Sequence, residues 1–351
     1  MAAERQQTDI RKISLEKLQT FFTENNDKAF RAKQVMEWLW QKSVRSFEEM
    51  TNLSKATREM LSQNFIISPV SIGDCQHSDD GTIKYAFHLA DTNLVEGVLI
   101  PTTSRVTACI SSQVGCSLTC KFCATGYMDR KRNLDAAEIY DQVALLKSES
   151  EKHYGQPLSN IVYMGMGEPL LNYANVLKSV EYITSANGLG LSPKRITVST
   201  AGISKMIKKL GDDEVKFGLA LSLHAANDTK RNEIMPINES NTLAVLKEAL
   251  QYFYKKTKTK ITLEYIVFDG FNDQLEDAKE LYLFAKSFPC KINIIEYNPI
   301  AQANFKNADK DAIDQFEEYL SKKGVTVNVR RSRGKDIDAA CGQLAGKKQS
   351  A

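Results

Sequence analysis

Strand-like and helix-like runs alternate from Arg105 to about residue 323. Each short run of β-branched and apolar residues is followed by a longer segment whose apolar residues recur every three to four positions. Such alternation predicts an α/β fold in which helices cover a parallel sheet that curls into a partial (β/α)6 barrel, with a doubly wound open sheet as the alternative. In a barrel the reactive residues lie at the carboxyl ends of the strands, so motifs are expected there. The six strand-like runs begin near residues 106, 160, 195, 217, 261 and 291.

The residues before Arg105 follow other patterns. Apolar residues at helical spacing occupy residues 14–26, 30–42 and 46–61, which predicts a small helical domain. Alternating apolar runs on either side of the tight-turn sequence Asp79-Asp80-Gly81 predict a short β linker segment. The expected segments are a helical domain (1–66), a β linker (67–104), the barrel (105–335) and a C-terminal tail (336–351).

The composition excludes several classes of protein. The 351 residues are 42% hydrophobic and 25% charged, which are ordinary globular values, and no apolar run approaches the ~20 residues that cross a bilayer. The opening MAAERQQTDIRK lacks the apolar stretch of a secretory signal, so we expect a cytoplasmic protein without a membrane partner. A net charge of +3 is compatible with an anionic partner and does not demand one.

Three of the seven cysteines fall within eight residues. This density is unlike the disulfide framework of a secreted protein and typical of metal ligation in a reducing compartment. Cys116, Cys120 and Cys123 form a C-x-x-x-C-x-x-C loop directly after the first predicted strand. Three cysteines that hold a four-iron cluster leave one iron open to a ligand. A zinc site is the alternative, since Cys109 or a histidine could complete a tetrahedron.

Later strand ends also carry polar residues. The second strand ends in MGMGEP, where glycines allow close approach of the backbone and the carboxylate of Glu168 can pair with an amino group. Each polar residue alone could be a helix cap, and His224 could be a structural histidine; together they predict a ligand site on one rim. Further along the chain, the strand-end residues are Ser199, Ser222, Leu223, His224 and Asn298.

Four cysteines lie outside the triplet. Cys109 lies within the first barrel strand and Cys341 near the C-terminus, and neither has ligand spacing. By residue type alone each of them, like Cys75 and Cys290, is expected to be a small buried apolar residue. Two thiols able to meet could instead perform covalent catalysis, one as the nucleophile and the other as the resolving thiolate.

Several motifs together resemble those of one family. They are CISSQVGCSLTCKFCATG, MGMGEP, VSTAGI, LSLHA, MPIN at 235–238 and DIDAACGQLAG. On these motifs the chain resembles the RlmN/Cfr family of radical S-adenosylmethionine (SAM) RNA methyltransferases over nearly its whole length. The resemblance implies a 4Fe-4S cluster on Cys116, Cys120 and Cys123. It implies Cys109 and Cys341 as a catalytic pair that forms a disulfide bond. The implied proton acceptor is Glu96, in LVEGVLIP, and the implied SAM-binding residues are Gly167, Glu168, Ser199, Ser222, Leu223, His224 and Asn298.

The same resemblance implies methylation of ring carbon C2 of adenosine in 23S rRNA and in certain tRNAs. Carbon C2 is electron-poor and has no acidic proton, so radical addition suits it better than ordinary base-assisted transfer. The implied cycle uses two SAM molecules per turnover: one methylates Cys341, and the other activates that methyl group, before Cys109 resolves a transient protein–RNA crosslink. An electron donor such as flavodoxin or ferredoxin is implied, and we expect a monomer.

Basic residues offer separate support for RNA as the partner. Arg330, Arg331, Arg333 and Lys335 lie beside Cys341, where they could position phosphates while the target base is unstacked. The helical domain is expected to be an RNA-binding accessory. A solvated basic face is the simpler interpretation of Arg130-Lys131-Arg132, as core packing is of Trp38 and Trp40.

Two other functions stay open at this point. One is methylation of adenine C8, although the RRSRG that precedes DIDAACGQ resembles the C2 enzymes more. The other is a non-catalytic, zinc-bound RNA-binding module. One departure from the family's pattern is Asp129-Arg130, where a glycine and an apolar residue are usual, so shielding of the cluster at this point is not implied by the resemblance.

Overall fold

A ten-stranded mixed sheet organises the molecule, whose residues 7–346 are described by a computed structural model. The strands are β1 (Thr8–Asp9), β2 (Phe65–Ile66), β3 (Ser71–His77), β4 (Ile83–His88), β5 (Leu94–Pro101), β6 (Val106–Cys109), β7 (Gln113–Val114), β8 (Arg132–Asn133), β9 (Leu158–Tyr163), β10 (Ile196–Thr200), β11 (Gly218–Ser222), β12 (Ile261–Ile266), β13 (Cys290–Ile295) and β14 (Val327–Arg330). The large sheet has the order β14-β13-β12-β11-β10-β9-β6-β5-β4-β3, and the pairs β1–β2 and β7–β8 form two small sheets.

Ten α-helices accompany these strands in the described residues. None of the described helices is long and apolar enough to cross a membrane. The helices are α1 (Leu15–Glu24), α2 (Arg31–Trp40), α3 (Lys55–Asn64), α4 (Ala136–Tyr154), α5 (Tyr173–Thr184), α6 (Ser204–Asp212), α7 (Asp228–Ile234), α8 (Leu243–Thr257), α9 (Leu275–Ala285) and α10 (Lys310–Lys322).

Strand order distinguishes the two architectures that the sequence allows. In the large sheet, β6 pairs in parallel with β9, and each strand from β9 to β13 pairs in parallel with the strand that follows it in the chain. A doubly wound sheet would reverse at a switch point, whereas this order winds in one direction as a barrel does. Among the described strands, β14 and β3 are edges that do not pair with each other, so the barrel is open. The predicted α/β fold with a partial barrel is confirmed.

Among the strands of the large sheet and the helices that cover it, two described elements have no counterpart in the sequence prediction. The strand β14 is a seventh parallel strand, and its short, mostly exposed VNVR sequence lacks the apolar run of a buried strand. The helix α7 follows the fourth parallel strand, and its DTKRNEI sequence is too polar to show an apolar face. The strands of the predicted β linker, β3 to β5, continue the large sheet by antiparallel pairing.

The third helix of the helical domain begins later than predicted. A helix over residues 46–61 is wrong, because residues 46–53 form turns and bends. The helix begins at Lys55, after Ser54 accepts the backbone N–H of Thr57 at 3.1 Å. A serine that caps a helix in this way satisfies a donor that the first turn leaves without a partner.

Buried contacts join the helical domain to the barrel. Trp40 stacks on Tyr182 with ring centroids 3.6 Å apart, so this tryptophan is a core residue. Arg11 forms ion pairs with Asp9 at 2.9 Å and with Asp141 of α4 at 2.7 Å. Burial disfavours the charged guanidinium, but the two carboxylates outweigh it and raise the pKa of Arg11. Removing one member would leave a buried charge unpaired, so the network favours one placement of the two parts.

A segment after β14 crosses the open side of the barrel, and we call residues 331–338 the strap. Asp336 accepts hydrogen bonds from the hydroxyl of Ser78 at 2.6 Å and from the N–H of Asp79 at 3.2 Å. The N–H of Gly334 donates to the carboxylate of Asp80 at 2.9 Å. Because residues 78–80 belong to the turn between β3 and β4, the strap ties the β14 edge of the sheet to its opposite edge.

The cysteines that lie far from the site are less buried than predicted. Cys75 is exposed, because it belongs to the edge strand β3, one side of which faces solvent. Cys290 begins β13 and is half-buried, with its thiol 3.4 Å from the carbonyl oxygen of Ala285. The prediction of burial is therefore wrong for Cys75 and only partly met for Cys290.

Candidate active site

One cavity of about 410 Å³ brings most of the predicted site residues together inside the open barrel. Parallel strands end at the same edge of a sheet, so residues far apart in the chain converge there. Glu96, Leu223 and Asn298 are not among the residues that line the cavity. The predicted residues that line the cavity are Cys109, Cys116, Cys120, Cys123, Gly167, Glu168, Ser199, Ser222, His224 and Cys341.

The triplet cysteines lie on a tightly packed loop. At its start, a Cβ on Gly115 would lie 2.2 Å from the carbonyl oxygen of Asp129, and the φ of +75° also favours glycine. Ile234 and Met235 belong to an apolar cluster against which the three cysteines pack. Burial raises the pKa of all three thiols, that of Cys116 to about 11. Metal ligation would hold the sulfurs as thiolates instead.

The placement of these donors argues against the zinc interpretation. Within residues 7–346, no three His, Cys, Asp or Glu side chains converge closely enough to hold a single metal ion. Zinc needs four donors at roughly 2.0–2.3 Å from one centre. A cube of four irons binds one thiolate at each of three corners, so its three sulfur ligands lie further apart than the ligands of a single ion. The lack of such a convergence among the described residues disfavours a zinc ion and is compatible with a cluster.

The segment after the loop meets the loop through its backbone. The carbonyl group of Asp129 and the Cα of Arg130 pack closely against Gly115, while the side chains of both residues are exposed. The N–H of Cys116 donates to the carbonyl oxygen of Met128 at 3.4 Å. The unusual residue types at 129 and 130 thus leave the backbone cover of the loop in place.

The MGMGEP segment forms a rigid turn after β9. Gly167 has a φ of +93°, and a Cβ there would lie 2.4 Å from the Cβ of Gln113, so only glycine fits. The carboxylate of Glu168 accepts the N–H of Leu170 at 2.9 Å and that of Ala201 at 2.7 Å. Burial raises the pKa of Glu168 although these N–H donors lower it. The hydroxyl of Thr200 also donates to this carboxylate, so about one of its four acceptor positions stays open for an amino group of a ligand.

The ends of β10 and β11 present hydroxyl groups and an imidazole to the cavity. The hydroxyls of Ser199 and Ser222 lie 3.3 Å apart. Nδ1 of His224 accepts the N–H of Ile266 at 3.2 Å, which assigns the proton of the neutral ring to Nε2. Burial, aided by a nearby arginine, lowers the pKa of His224 to about 3. His224 is therefore a neutral hydrogen-bond donor at ordinary pH, not an acid or base.

Leu223 does not reach the cavity. Its side chain is fully buried, and its N–H donates to the carbonyl oxygen of Glu264 at 3.0 Å. Its own carbonyl oxygen accepts a hydrogen bond from Nε of Arg231 at 3.1 Å. With both backbone groups used, Leu223 supports the neighbouring strand end.

Cys109 and Cys341 face the same cavity. Cys109 ends β6 and is buried, whereas Cys341 follows the strap and is exposed towards the cavity. Both are free thiols, so the implied disulfide between them is not formed in this structure. Desolvation of the sulfur atoms inside the cavity raises the pKa of each thiol, although Cys341 as a whole residue is exposed, and Arg330 acts in the opposite direction on both. Each sulfur is thus protonated at neutral pH until a base acts on it.

Hydrogen bonds hold the tail that carries Cys341 against the cysteine loop. The N–H of Ala124 donates to the carbonyl oxygen of Gly342 at 2.7 Å, and the hydroxyl of Thr125 donates to that of Leu344 at 2.6 Å. Nδ2 of Asn298 donates to the carbonyl oxygen of Cys341 at 3.2 Å. Oδ1 of Asn298 is buried and has no partner among the described residues, as expected of an atom that a ligand satisfies.

Glu96 faces the tail rather than the cavity. One carboxylate oxygen accepts the N–H groups of Ala345 and Gly346 at 2.8 and 3.1 Å. The other lies 3.7 Å from Nζ of Lys84. Glu96 can therefore take a proton from a substrate only after it exchanges the tail amides for that substrate.

No sequence motif points to two further residues of the site, Glu264 and Arg231. Glu264 lines the cavity from β12; one of its oxygens accepts Nδ2 of Asn293 at 2.9 Å, and the other is buried without a partner among the described residues. Burial raises the pKa of Glu264. A single acid in the apolar strand ITLEYI is the signal that could have identified it. Arg231 is fully buried on α7, whose sequence gives no such signal.

The basic residues divide into paired and exposed groups. Arg132 is held by Asp91 at 2.5 Å and by Glu138 at 2.7 Å, which favours a structural role. Arg331 is 82% exposed and reaches Glu296 only at 3.8 Å. The positive charge at the cavity comes from Arg105, Arg330, Arg331 and Arg333, which all line it.

Two family models match the chain. Residues 8–67 match the ribosomal RNA large subunit methyltransferase N-terminal domain, and residues 110–283 match the radical SAM superfamily. The first match contains the three helices of the helical domain. The second runs from the start of the cysteine loop into α9.

Named relatives match nearly the whole chain. A probable dual-specificity RNA methyltransferase RlmN from Cytophaga hutchinsonii is 67% identical over 96% of this chain and 92% of its own length. A dual-specificity RNA methyltransferase RlmN from Geobacter sulfurreducens is 44% identical over 97% of this chain and 92% of its own. The crystal structure of a radical SAM methyltransferase from Sphaerobacter thermophilus has a TM-score of 0.91 at 35% identity and covers 97% of this chain and 100% of that one.

Proposed function

The chain belongs to the RlmN family of radical SAM RNA methyltransferases, and we propose that it methylates carbon C2 of specific adenosines in 23S rRNA and in certain tRNAs. One observation carries the proposal: the cysteine triplet, the polar strand ends and the pair Cys109 and Cys341 all line the same cavity. A binding module needs no pair of free thiols beside such a triplet. An enzyme that passes a methyl group through cysteine needs both.

The cavity fits a 4Fe-4S cluster and SAM. Cys116, Cys120 and Cys123 would hold the cluster, and Glu168 offers an acceptor for the amino group of SAM. Asn298 is bonded to Cys341 next to the cavity, and its Oδ1 is a further acceptor without a partner among the described residues. When bound, the cluster supplies the electron that cleaves SAM into methionine and a 5′-deoxyadenosyl radical. Two SAM molecules are used per turnover, one for methyl transfer and one for this cleavage.

Cys341 is the methyl carrier. Its thiol would lose a proton to solvent, with the positive charge of Arg330 favouring the thiolate, and the sulfur would then attack the methyl carbon of the first SAM. S-adenosylhomocysteine leaves and Cys341 keeps an S-methyl group. The hydrogen bonds of the tail to Ala124 and Thr125 keep that group beside the cysteine loop.

Once the second SAM is cleaved, the S-methyl group of Cys341 would give up one hydrogen atom to the cleaved cofactor, and its carbon would form the bond to adenine C2. The RNA adduct then loses one electron, which returns to the redox system that supplied the electron for SAM cleavage. Glu96 accepts the proton of C2. Because Glu96 is bonded to the tail amides before substrate arrives, RNA entry and local release of the tail are coupled.

Cys109 resolves the crosslink. Its thiolate attacks the sulfur of Cys341, the sulfur–methylene bond breaks, and the released carbon takes a proton to become the methyl group. A Cys109–Cys341 disulfide remains, and its reduction by two electrons closes the cycle. We propose flavodoxin or ferredoxin as the electron donor, and a monomeric enzyme that acts in the cytoplasm, where its RNA substrates are.

The arginines that line the cavity provide the route for RNA. Arg105, Arg330, Arg331 and Arg333 would contact phosphates, while the target base leaves its stack to enter the barrel. Most of this charge stands on β14 and the strap, next to Cys341. The RNA backbone and the methyl carrier would therefore meet on the same segment.

Anaerobic turnover with isotopically labelled SAM and RNA from cells that lack the modification tests the proposal. We expect labelled 2-methyladenosine by nucleoside mass spectrometry, and none with the Cys341→Ala variant. Label at C8 would assign the chain the chemistry of the C8 enzymes. Stoichiometric zinc without iron and acid-labile sulfide would support the non-catalytic module instead.

A further inference from the structure

Arg231 is a fully buried guanidinium whose hydrogen-bond partners are all uncharged. It donates to the carbonyl oxygens of Ala201 at 2.6 Å, Leu223 at 3.1 Å and Ser222 at 3.3 Å. Its remaining bond is to Oδ1 of Asn238 at 2.7 Å. These contacts join the ends of β10 and β11 to the loop that contains MPIN.

A buried cation without an anionic partner is costly, because desolvation of the charge is not offset by attraction. The acid closest in this network is Asp228, which is exposed and connects to Arg231 only through the amide of Asn238, at 2.8 Å from Nδ2 to the carboxylate. Burial lowers the pKa of Arg231 to about 10, so the group is still charged at neutral pH. Its positive charge is thus incompletely balanced by the protein.

The position of Arg231 indicates what balances this charge. The carbonyl oxygen of Ile234, one helical turn after Arg231, accepts the N–H of Lys121 at 3.0 Å, which docks α7 onto the cysteine loop. Ile234 also belongs to the apolar cluster that packs against the three cysteines. Lys121 directly follows Cys120 in the chain, so α7 is bonded to the loop at the residue next to a predicted cluster ligand. On its opposite side, Arg231 binds Ala201, which lines the cavity.

We propose that Arg231 is the counter-charge of the iron-sulfur cluster and raises its reduction potential. This inference rests on the cluster of the proposed function. The oxidised core formally carries two positive charges against three thiolates, and reduction adds one more negative charge. A fixed buried cation therefore stabilises the reduced cluster more than the oxidised one. Through the carbonyl oxygens of residues 201, 222 and 223, Arg231 also positions the strand ends that flank SAM.

A redox titration of the reconstituted full-length protein tests this inference. The signal of the reduced cluster is followed by electron paramagnetic resonance without SAM or RNA. Arg231→Gln keeps N–H donors and removes the charge; we expect the ratio of reduced to oxidised cluster at a fixed solution potential to fall about tenfold, a shift of about 59 mV for one electron. Arg231→Lys keeps the charge and should stay close to the wild type. Lys230→Met removes a cation that is partly exposed and paired with Asp277, and should leave the potential unchanged.

A second variant, for which we expect a shift of the reduction potential in the opposite direction, tests the inference if Arg231→Gln fails to hold a cluster. Asp228→Asn keeps an acceptor for Asn238 and removes the negative charge that partly offsets Arg231, so the potential should become more positive. Equal potentials in Arg231→Gln and the wild type, equal shifts in the Gln and Lys variants, or no positive shift in Asp228→Asn would overturn the inference alone. Absence of iron and sulfide from the wild type would overturn it together with the proposed function.

Discussion

The cavity has two contrasting parts. One is its wall, by which we mean the ends of the parallel strands and the turns that follow them, and the other is the tail that carries Cys341; the two place their functional groups by different means. In the wall, Gly167 has no room for a side chain, and Glu168 is buried with both oxygens bonded to backbone N–H groups. In the tail, Cys341 stands outside any helix or strand and is held mainly by hydrogen bonds of neighbouring backbone groups. The difference suits the proposed mechanism, in which the wall would hold the cofactors and the tail would carry the methyl group. In that mechanism Cys341 would meet SAM, RNA and Cys109 in turn, which a residue built into the sheet could not do.

Removing a ligand from the wall should have the largest effect. We expect Cys120→Ala to lose the cluster and to reduce RNA methylation to background, because two thiolates cannot hold the cube of four irons. Iron and sulfide analysis and nucleoside mass spectrometry measure both outcomes. Cys75→Ala, which removes an exposed thiol on β3, is the matched control and should retain both. A Cys120→Ala protein with a full cluster would show that the triplet is not the ligand set.

Cys109→Ala tests the thiol that belongs to the wall but acts on the tail. Cluster assembly and methylation of Cys341 should persist, whereas turnover should stop with RNA attached to Cys341, because no thiolate displaces the sulfur. Denaturing gels and peptide mass spectrometry after ribonuclease digestion detect the adduct. Cys341→Ala and the double variant should bind RNA without crosslinking. Normal turnover by Cys109→Ala, or an adduct on another residue, would refute the two-cysteine mechanism.

Gly167→Ala measures the rigidity of the wall. Both this variant and the control Gly155→Ala place a side chain at positive φ, at a cost of about 1–2 kcal/mol in the free energy of unfolding. Only at position 167 does the new Cβ also strike a buried side chain, that of Gln113, which should add about 1–3 kcal/mol. Urea unfolding of both variants gives the difference, and SAM binding should weaken only for Gly167→Ala. Equal destabilisation would mean that the turn adapts and the wall is not rigid.

Asp336→Ala probes the attachment of the strap and should have the smallest effect. Without the acceptor for Ser78 and Asp79, the strap should detach more often and expose its arginines, so trypsin should cut there roughly two- to fivefold faster. The cluster should assemble normally. Asp74→Ala removes an exposed carboxylate on β3 that does not bind the strap, and it controls for the loss of charge. If both variants are cut at the wild-type rate, other contacts secure the strap.

The same contrast separates what the sequence predicts well from what it does not. The parallel strands carry apolar runs between helical segments, and in such a fold the strand ends must converge, so the cavity and its polar rim follow from pattern and topology. The fold and the family can therefore be predicted from the sequence. Elements whose position depends on contacts distant in sequence leave no periodic signal, as β14 and α7 show.

Individual side chains of the site divide similarly. Glu168 is predictable because a glycine turn presents it, whereas the bonding of Glu96 to the tail amides depends on where residues 345 and 346 come to lie. Arg231 is hidden for a different reason: a basic residue in a short polar helix predicts solvent exposure, and only the packing of α7 under the cysteine loop buries it.

The strap bears on the solubility of the chain as well as on its chemistry. An open ten-stranded sheet has two edges, and unpaired strand edges invite pairing with other molecules and aggregation. The strap leaves one edge strand and is anchored beside the other through Asp336 and Gly334, so the segment that delivers the methyl carrier also restrains both edges. A chain truncated before residue 331 would lose its methyl acceptor and, in the same event, expose the ends of its sheet. We therefore expect such incomplete chains to aggregate rather than to persist as folded proteins without activity.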